Sequence, residues 1–196
     1  MFFKIAKALV KFVCKLWFRV TLTGEENIPR EGGCMLCLNH TSLWDPPLVT
    51  ALLKRRVYFI AKEELFGHFF VGWVLRSIGT IPVKRGQADL GAIKTSIRAL
   101  REGKMLGIFP AGRRTRPGQK VKIKSGVALI ATRSGVPVVP VYINGTFKPF
   151  SKLSITIGEP VDMSVYEGQK LAAEELDALS NDIYNRVMAL SGVEKA

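Results

Sequence analysis

From Leu22 onward the chain alternates between short apolar runs and longer segments with a helical period. Apolar runs of this length suit strands buried on both faces. They predict strands at Cys34–Leu38, Val57–Ile60, Thr80–Val83, Met105–Phe109, Val138–Ile143 and Leu153–Ile157. Asp45-Pro46 reads as an N-cap followed by proline at the first helical position, opening a helix to about Leu53. Residues 88–102 set Leu90, Ile93, Ile97 and Leu100 on one helical face, and Gly103 supplies the stop. A short helix from Ser125 to about Ser134 ends at Gly135, and residues 169–191 are amphipathic through Leu176, Leu179, Ile183 and Val187. This alternation predicts an α/β fold, a single domain with a largely parallel central sheet flanked by helices.

The first 20 residues, MFFKIAKALVKFVCKLWFRV, follow a different rule. Lys4, Lys7, Lys11, Lys15 and Arg19 recur every three or four residues and fall on one helical stripe. Phe2, Phe3, Ile5, Leu9, Phe12, Val13, Leu16 and Trp17 cover the remainder. Five cations spread through the segment argue against a transmembrane helix. The lack of an uncharged core and a small-residue cleavage site argues against a signal peptide. A basic stripe beside bulky aromatic residues suits an amphipathic helix lying in a bilayer interface. The alternative is a helix packed on the protein's own core with its lysines in water. The expected division is a membrane-association helix over residues 1–20 and an α/β domain over residues 21–196. Lys4, Lys7, Lys11, Lys15, Trp17 and Arg19 are the expected membrane-binding residues.

Charge and cysteine content narrow the partners. The 196 residues carry 29 Lys+Arg against 16 Asp+Glu, a formal +13, which favours polyanions: nucleic acid, an anionic bilayer or a phosphorylated metabolite. A nucleic-acid surface would interleave aromatics with its cations or show a recognised module, and no nucleic acid is expected as partner. Cys14, Cys34 and Cys37 cannot form a disulfide framework. Cys34 and Cys37 have the spacing of a redox or zinc pair, but their apolar run marks them as inert thiols in a strand. No metal site is expected.

In parallel α/β sheets, chemistry gathers in loops beyond the carboxyl ends of strands. Three such loops begin here at Asn39, Lys84 and Pro110. The first, Asn39-His40-Thr41-Ser42-Leu43-Trp44-Asp45, holds one of two histidines, the side chain suited to take a proton near neutral pH. The other, His68, sits among Phe66, Phe69 and Phe70 and reads as packed or interfacial. Asp45 is close enough to hold one imidazole nitrogen and leave the other free as a general base. Equally, Asp45 suits a role that goes no further than starting the helix ahead of Pro46. The second and third loops are cationic. Lys84, Arg85 and Arg114 follow buried strands at the same sheet edge as His40, where arginine forks and a lysine point charge can grip phosphate. Arg116, Lys120, Lys122 and Lys124 read as a solvated charge run.

Together these residues resemble the glycerolipid acyltransferase family. Asn39-His40 with Asp45 looks like that family's His-x-x-x-x-Asp motif, and Gly79 through Arg85 looks like its second motif. Phe109-Pro110-x-Gly112-x-Arg114 resembles the third, written Phe-Pro-Glu-Gly-Thr-Arg, and Val136-Pro137-Val138-Val139-Pro140 resembles the fourth. The four stand in the family's order across about residues 24–145.

The resemblance implies an acyltransferase domain over residues 21–196 with no cofactor. It implies transfer of a fatty acyl group from coenzyme A or acyl carrier protein to the sn-2 hydroxyl of 1-acylglycerol-3-phosphate, giving phosphatidic acid. Carried over, His40 is the base and Asp45 its orienting partner. Arg85 and Arg114 hold the acceptor phosphate with Lys84 assisting, while Asn39, Gly112 and Pro137 support the motifs. The implied partners are the lysophospholipid, the thioester donor and an anionic membrane surface, at the cytoplasmic face of the cell membrane and peripheral to it. One departure matters. Ala111 stands where the family carries glutamate, beside Arg113 in place of threonine, which should weaken acceptor binding. The rivals are acylation of another lysophospholipid, hydrolysis of the thioester by water, and a lipid-binding protein with impaired catalysis. The apolar stretch Phe66–Leu75 is expected to extend the hydrophobic surface, to line an acyl-chain tunnel or to form an ordinary buried helix.

Overall fold

The computed structural model describes residues 2–195 apart from 78, 84–87, 116–118 and 120. Its strands are β1 (Arg19–Thr23), β2 (Cys34–Leu38), β3 (Val57–Lys62), β4 (Ile81–Val83), β5 (Met105–Ile108), β6 (Val138–Gly145) and β7 (Lys152–Ile157). They form one sheet in the order β1-β7-β6-β2-β5-β3-β4. Neighbouring strands are parallel except β6 and β7, which are antiparallel. The helices are α1 (Phe2–Trp17), α2 (Asp45–Leu52), α3 (Phe69–Ser77), α4 (Ala88–Arg101), α5 (Gly126–Ser134) and α6 (Ala173–Ala189).

The continuous apolar runs form strands because helices cover both faces of the sheet. Every residue of β2 is fully buried, and successive side chains enter opposite cores. Cys34, Leu36 and Leu38 pack with Cys14 of α1, with Leu48 and Val49 of α2, and with Leu53. Met35 and Cys37 pack with Leu100 of α4, Ile130 of α5, and Ile183 and Val187 of α6. Burying a side chain such as Leu36 contributes roughly 1.5–3 kcal/mol. Cys34 and Cys37 therefore lie on opposite faces of one strand and cannot pair. Burial pushes the Cys34 thiol up to about 12 and raises Cys37 as well.

The first helix closes at Trp17, and residues 19–23 form an edge strand that sequence periodicity did not reveal. Arg19 thus belongs to β1, where its N–H donates to Ser151 O at 2.9 Å and its Cα pairs with Lys152. Asp45 also differs from expectation by one position, being the first residue of α2 after Trp44 at the cap.

Candidate active site

Strands β2 and β5 are parallel neighbours, with Cys37 opposite Ile108, so the loops leaving their carboxyl ends emerge side by side. The β2 loop brings His40 and Asp45 together, with His40 Nδ1 2.7 Å from Asp45 Oδ2. The same oxygen accepts from the backbone N–H groups of Thr41 at 2.7 Å and Ser42 at 2.8 Å. The Asp45 carboxylate thus turns back onto the loop, and among the described residues no side chain caps the start of α2. Pro46 and Pro47 lack N–H groups, so the first turn of that helix has little to cap. Asp45 is fully buried, whereas the His40 side chain keeps partial access to solvent. A carboxylate only accepts hydrogen bonds, so in a neutral ring Nδ1 carries the proton, and the lone pair of Nε2 meets no hydrogen-bond donor among the described residues.

Three further contacts fix His40. Asn39, buried, replaces the next backbone pair between β2 and β6: its Nδ2 donates to Ile143 O at 2.8 Å, and its Oδ1 accepts from Ile143 N at 2.7 Å. Thr115 reaches across from the β5 loop, donating to His40 O from its backbone N–H at 2.8 Å and from Oγ1 at 3.2 Å. Phe109 lies beneath the imidazole, with ring centroids 4.0 Å apart and planes 24° from parallel. Phe59 lies beneath Phe109 at 5.6 Å and 11°. Gly107 makes room for this stack, since a Cβ there would come within 2.3 Å of the Phe59 ring. Sequence reasoning found Asn39 but missed Thr115, Phe59 and the seat at Gly107. The available signal was an aromatic immediately after the β5 run.

The remaining expected residues divide. Lys84 and Arg85 lie outside the described residues. Arg114 is exposed, one residue before the Thr115 contact to His40. Gly112 adopts φ +63° in the turn that carries it, and Ala111 is buried beside it. Pro137 sits at the other end of the sheet: its carbonyl accepts from Met35 N at 3.0 Å, at the start of β2. It supports sheet pairing and stands a strand's length from His40. Among the described residues, no group of three His, Cys, Asp or Glu side chains is arranged to hold a metal ion.

The helix α1 packs Val10 and Cys14 inward yet leaves Leu9, Phe12, Leu16 and Trp17 exposed. Lys11 is also exposed. Lys7 turns inward, its Nζ donating to Leu53 O at 2.5 Å and Lys54 O at 3.3 Å, so it satisfies carbonyls at the end of α2. Burial, then Lys11, hold its pKa below the usual lysine value, with Glu25 opposing. The side chains of Lys4 and Lys15 lie outside the described residues. Phe66–Leu75 is not an ordinary buried helix, since in α3 Phe69 is 95% exposed and Trp73 is exposed too. Leu43 and Trp44, between His40 and Asp45, add apolar surface at the site's rim. Among the described residues, no helix is long and apolar enough to cross a membrane.

Comparison with known proteins places this arrangement. The family model described as Acyltransferase matches residues 19–144. The chain is 30% identical over 195 residues to the 1-acyl-sn-glycerol-3-phosphate acyltransferase of Bacillus subtilis, covering 96% of each chain. It is 31% identical over 155 residues to the enzyme of the same name from Borreliella burgdorferi, covering 76% of this chain and 61% of that one. Among solved structures, it resembles the crystal structure of the 1-acyl-sn-glycerophosphate (LPA) acyltransferase PlsC from Thermotoga maritima. The TM-score is 0.73 at 29% identity, over 97% of this chain and 80% of the other. The chain belongs to the acyltransferase family.

Proposed function

We propose that this protein transfers a fatty acyl group from a thioester, on coenzyme A or acyl carrier protein, to the free hydroxyl of 1-acylglycerol-3-phosphate. The observation that carries the reading is the His40–Asp45 pair at the end of β2, in a chain with relatives named for that reaction. Nε2 of His40 takes the hydroxyl proton as the oxygen attacks the thioester carbonyl. The new C–O bond gives a tetrahedral oxyanion, whose collapse expels the thiolate, and the imidazolium then returns its proton to sulfur. Such base catalysis supplies on the order of 10²–10⁴-fold. Asp45 keeps Nδ1 protonated and stabilises the imidazolium as it forms. Arg114, with Lys84 and Arg85, grips the acceptor phosphate, which favours a phosphorylated alcohol over water as nucleophile.

Acceptor and product are lipids; the exposed apolar face of α1 supports peripheral attachment to a membrane, and we place that attachment at the cytoplasmic face. Each cation near an anionic surface adds about 1 kcal/mol. The test is acyl transfer from labelled acyl-coenzyme A and acyl carrier protein to lysophosphatidate in detergent. Turnover by the unaltered chain, reduced on the order of 100-fold or more in His40→Ala, is expected. No transfer from either donor overturns the reading.

A further inference from the structure

Lys124 contributes a cation to the turn that follows β5. Its backbone N–H donates to Pro110 O at 3.3 Å. Its side chain runs along Gly112, where a Cβ would lie 3.0 Å from Cε and 3.4 Å from Nζ. Gly112 closes the turn through its N–H to Phe109 O at 2.9 Å. The ammonium lies beside the turn that carries Arg114, and that turn is tied to the His40 carbonyl by Thr115. Position 111 of the turn is a buried alanine, which brings no charge of its own. Among the described residues, no carboxylate pairs with Lys124. The turn therefore presents Arg113, Arg114 and Lys124, all exposed, with no carboxylate of its own.

We propose that Lys124 is a specificity-determining residue which, together with Arg114, selects a dianionic phosphate monoester over a singly charged phosphodiester headgroup. This deepens the acceptor assignment above and rests on it. A monoester loses its second proton near pH ~6, so it carries close to two charges at neutral pH where a diester carries one. An additional cation distinguishes the two through charge, which a purely structural lysine would not do. The thioester carriers also bear phosphate, so the test separates the two sources.

The experiment compares the unaltered full chain with Lys124→Met and Lys124→Arg in detergent. Lys124→Met is expected to raise KM for lysophosphatidate on the order of tenfold, with kcat and the donor KM nearly unchanged. The penalty should shrink between about pH 7.5 and about pH 5.5, as the acceptor becomes a monoanion. Lys124→Arg should recover most of the loss. Calorimetric titration with glycerol 3-phosphate and its methyl diester supplies a readout independent of turnover, and only the monoester should weaken. The inference is overturned by an unmoved acceptor KM, by a rise in the donor KM instead, or by equal weakening of monoester and diester. If the unaltered chain binds glycerol 3-phosphate but transfers no acyl group, the proposed reaction fails, and the titration alone decides Lys124.

Discussion

Asp45→Asn separates the charge of the catalytic pair from its shape. In the native loop three donors, His40 Nδ1 and the N–H groups of Thr41 and Ser42, converge on Oδ2. Two of these are backbone donors, so the amide oxygen of asparagine is forced into the same position. The imidazole then keeps its tautomer and loses only the charge opposite the imidazolium. Opposite charges about 4 Å apart at an effective dielectric near 20 attract by about 4 kcal/mol, on the order of 10³ in rate. Because the amide oxygen still accepts the hydrogen bond, kcat should fall by about 10²–10³. Stability should move little. Asp45 is fully buried and its Oδ1 has no hydrogen-bond partner among the described residues, so the carboxylate is already a burden on the fold. The melting temperature of Asp45→Asn is expected within about 3 °C of the parent, or above it. A residue that only starts a helix leaves kcat intact on this exchange, since asparagine caps a helix about as well as aspartate does. The assay pairs steady-state acyl transfer with thermal unfolding. A folded Asp45→Asn protein retaining more than about a tenth of the parent kcat refutes the assignment of Asp45 as partner to a base.

Phe109→Leu removes the aromatic surface beneath His40 while keeping an apolar side chain; kcat should fall about tenfold with both KM values unchanged, and a selective rise in KM would show that Phe109 contacts substrate. Phe12→Asp with Leu16→Asp places charge on the exposed face of α1, at sites 65% and 60% accessible. Flotation on phosphatidylglycerol vesicles should be lost while turnover in detergent micelles persists, and flotation that survives removes α1 from the membrane contact. Cys34 and Cys37 should resist iodoacetamide in the folded chain and react on unfolding; rapid labelling under native conditions contradicts their burial. Burial raises Cys34 from 9.0 to about 12, so the unfolded chain ionises first and stability falls as pH rises from about 9 towards about 12. Urea midpoints across that range measure the loss.

Strands whose burial is symmetric are the most legible to sequence periodicity. In β2, β5 and the first half of β6 both faces meet helices, so apolar residues run without interruption and their ends follow composition. β1 is an edge strand paired only with β7, and its five residues alternate between exposed and half-buried. Five alternating positions directly after a helical segment carry too little signal to separate a strand from one more helical turn. For α1 the ambiguity lies in packing. Its apolar arc is wide enough both to dock Val10 and Cys14 on the core and to leave Phe12 and Leu16 outside, and periodicity does not say which residues do which.

The site divides along the same line between local and nonlocal causes. The His40–Asp45 contact spans five residues of one loop, and the N–H groups of Thr41 and Ser42 that hold the carboxylate lie within that span, so the sequence contains all its parts. What holds His40 from outside depends on strand order. β5 inserts between β2 and β3, although β3 follows β2 in the chain. That insertion sets Phe59 of β3 beside β5, lays Phe109 on it at the end of β5, and brings Thr115 to the His40 carbonyl across 75 residues. Gly107 belongs to this arrangement alone, because any side chain there meets the Phe59 ring. The spacing between the first and third motifs is therefore free to vary in sequence, while their contact is fixed by adjacent parallel strands. Substitutions at Gly107 or Phe59 accordingly reach the base through Phe109, which stacks on both the Phe59 ring and the imidazole.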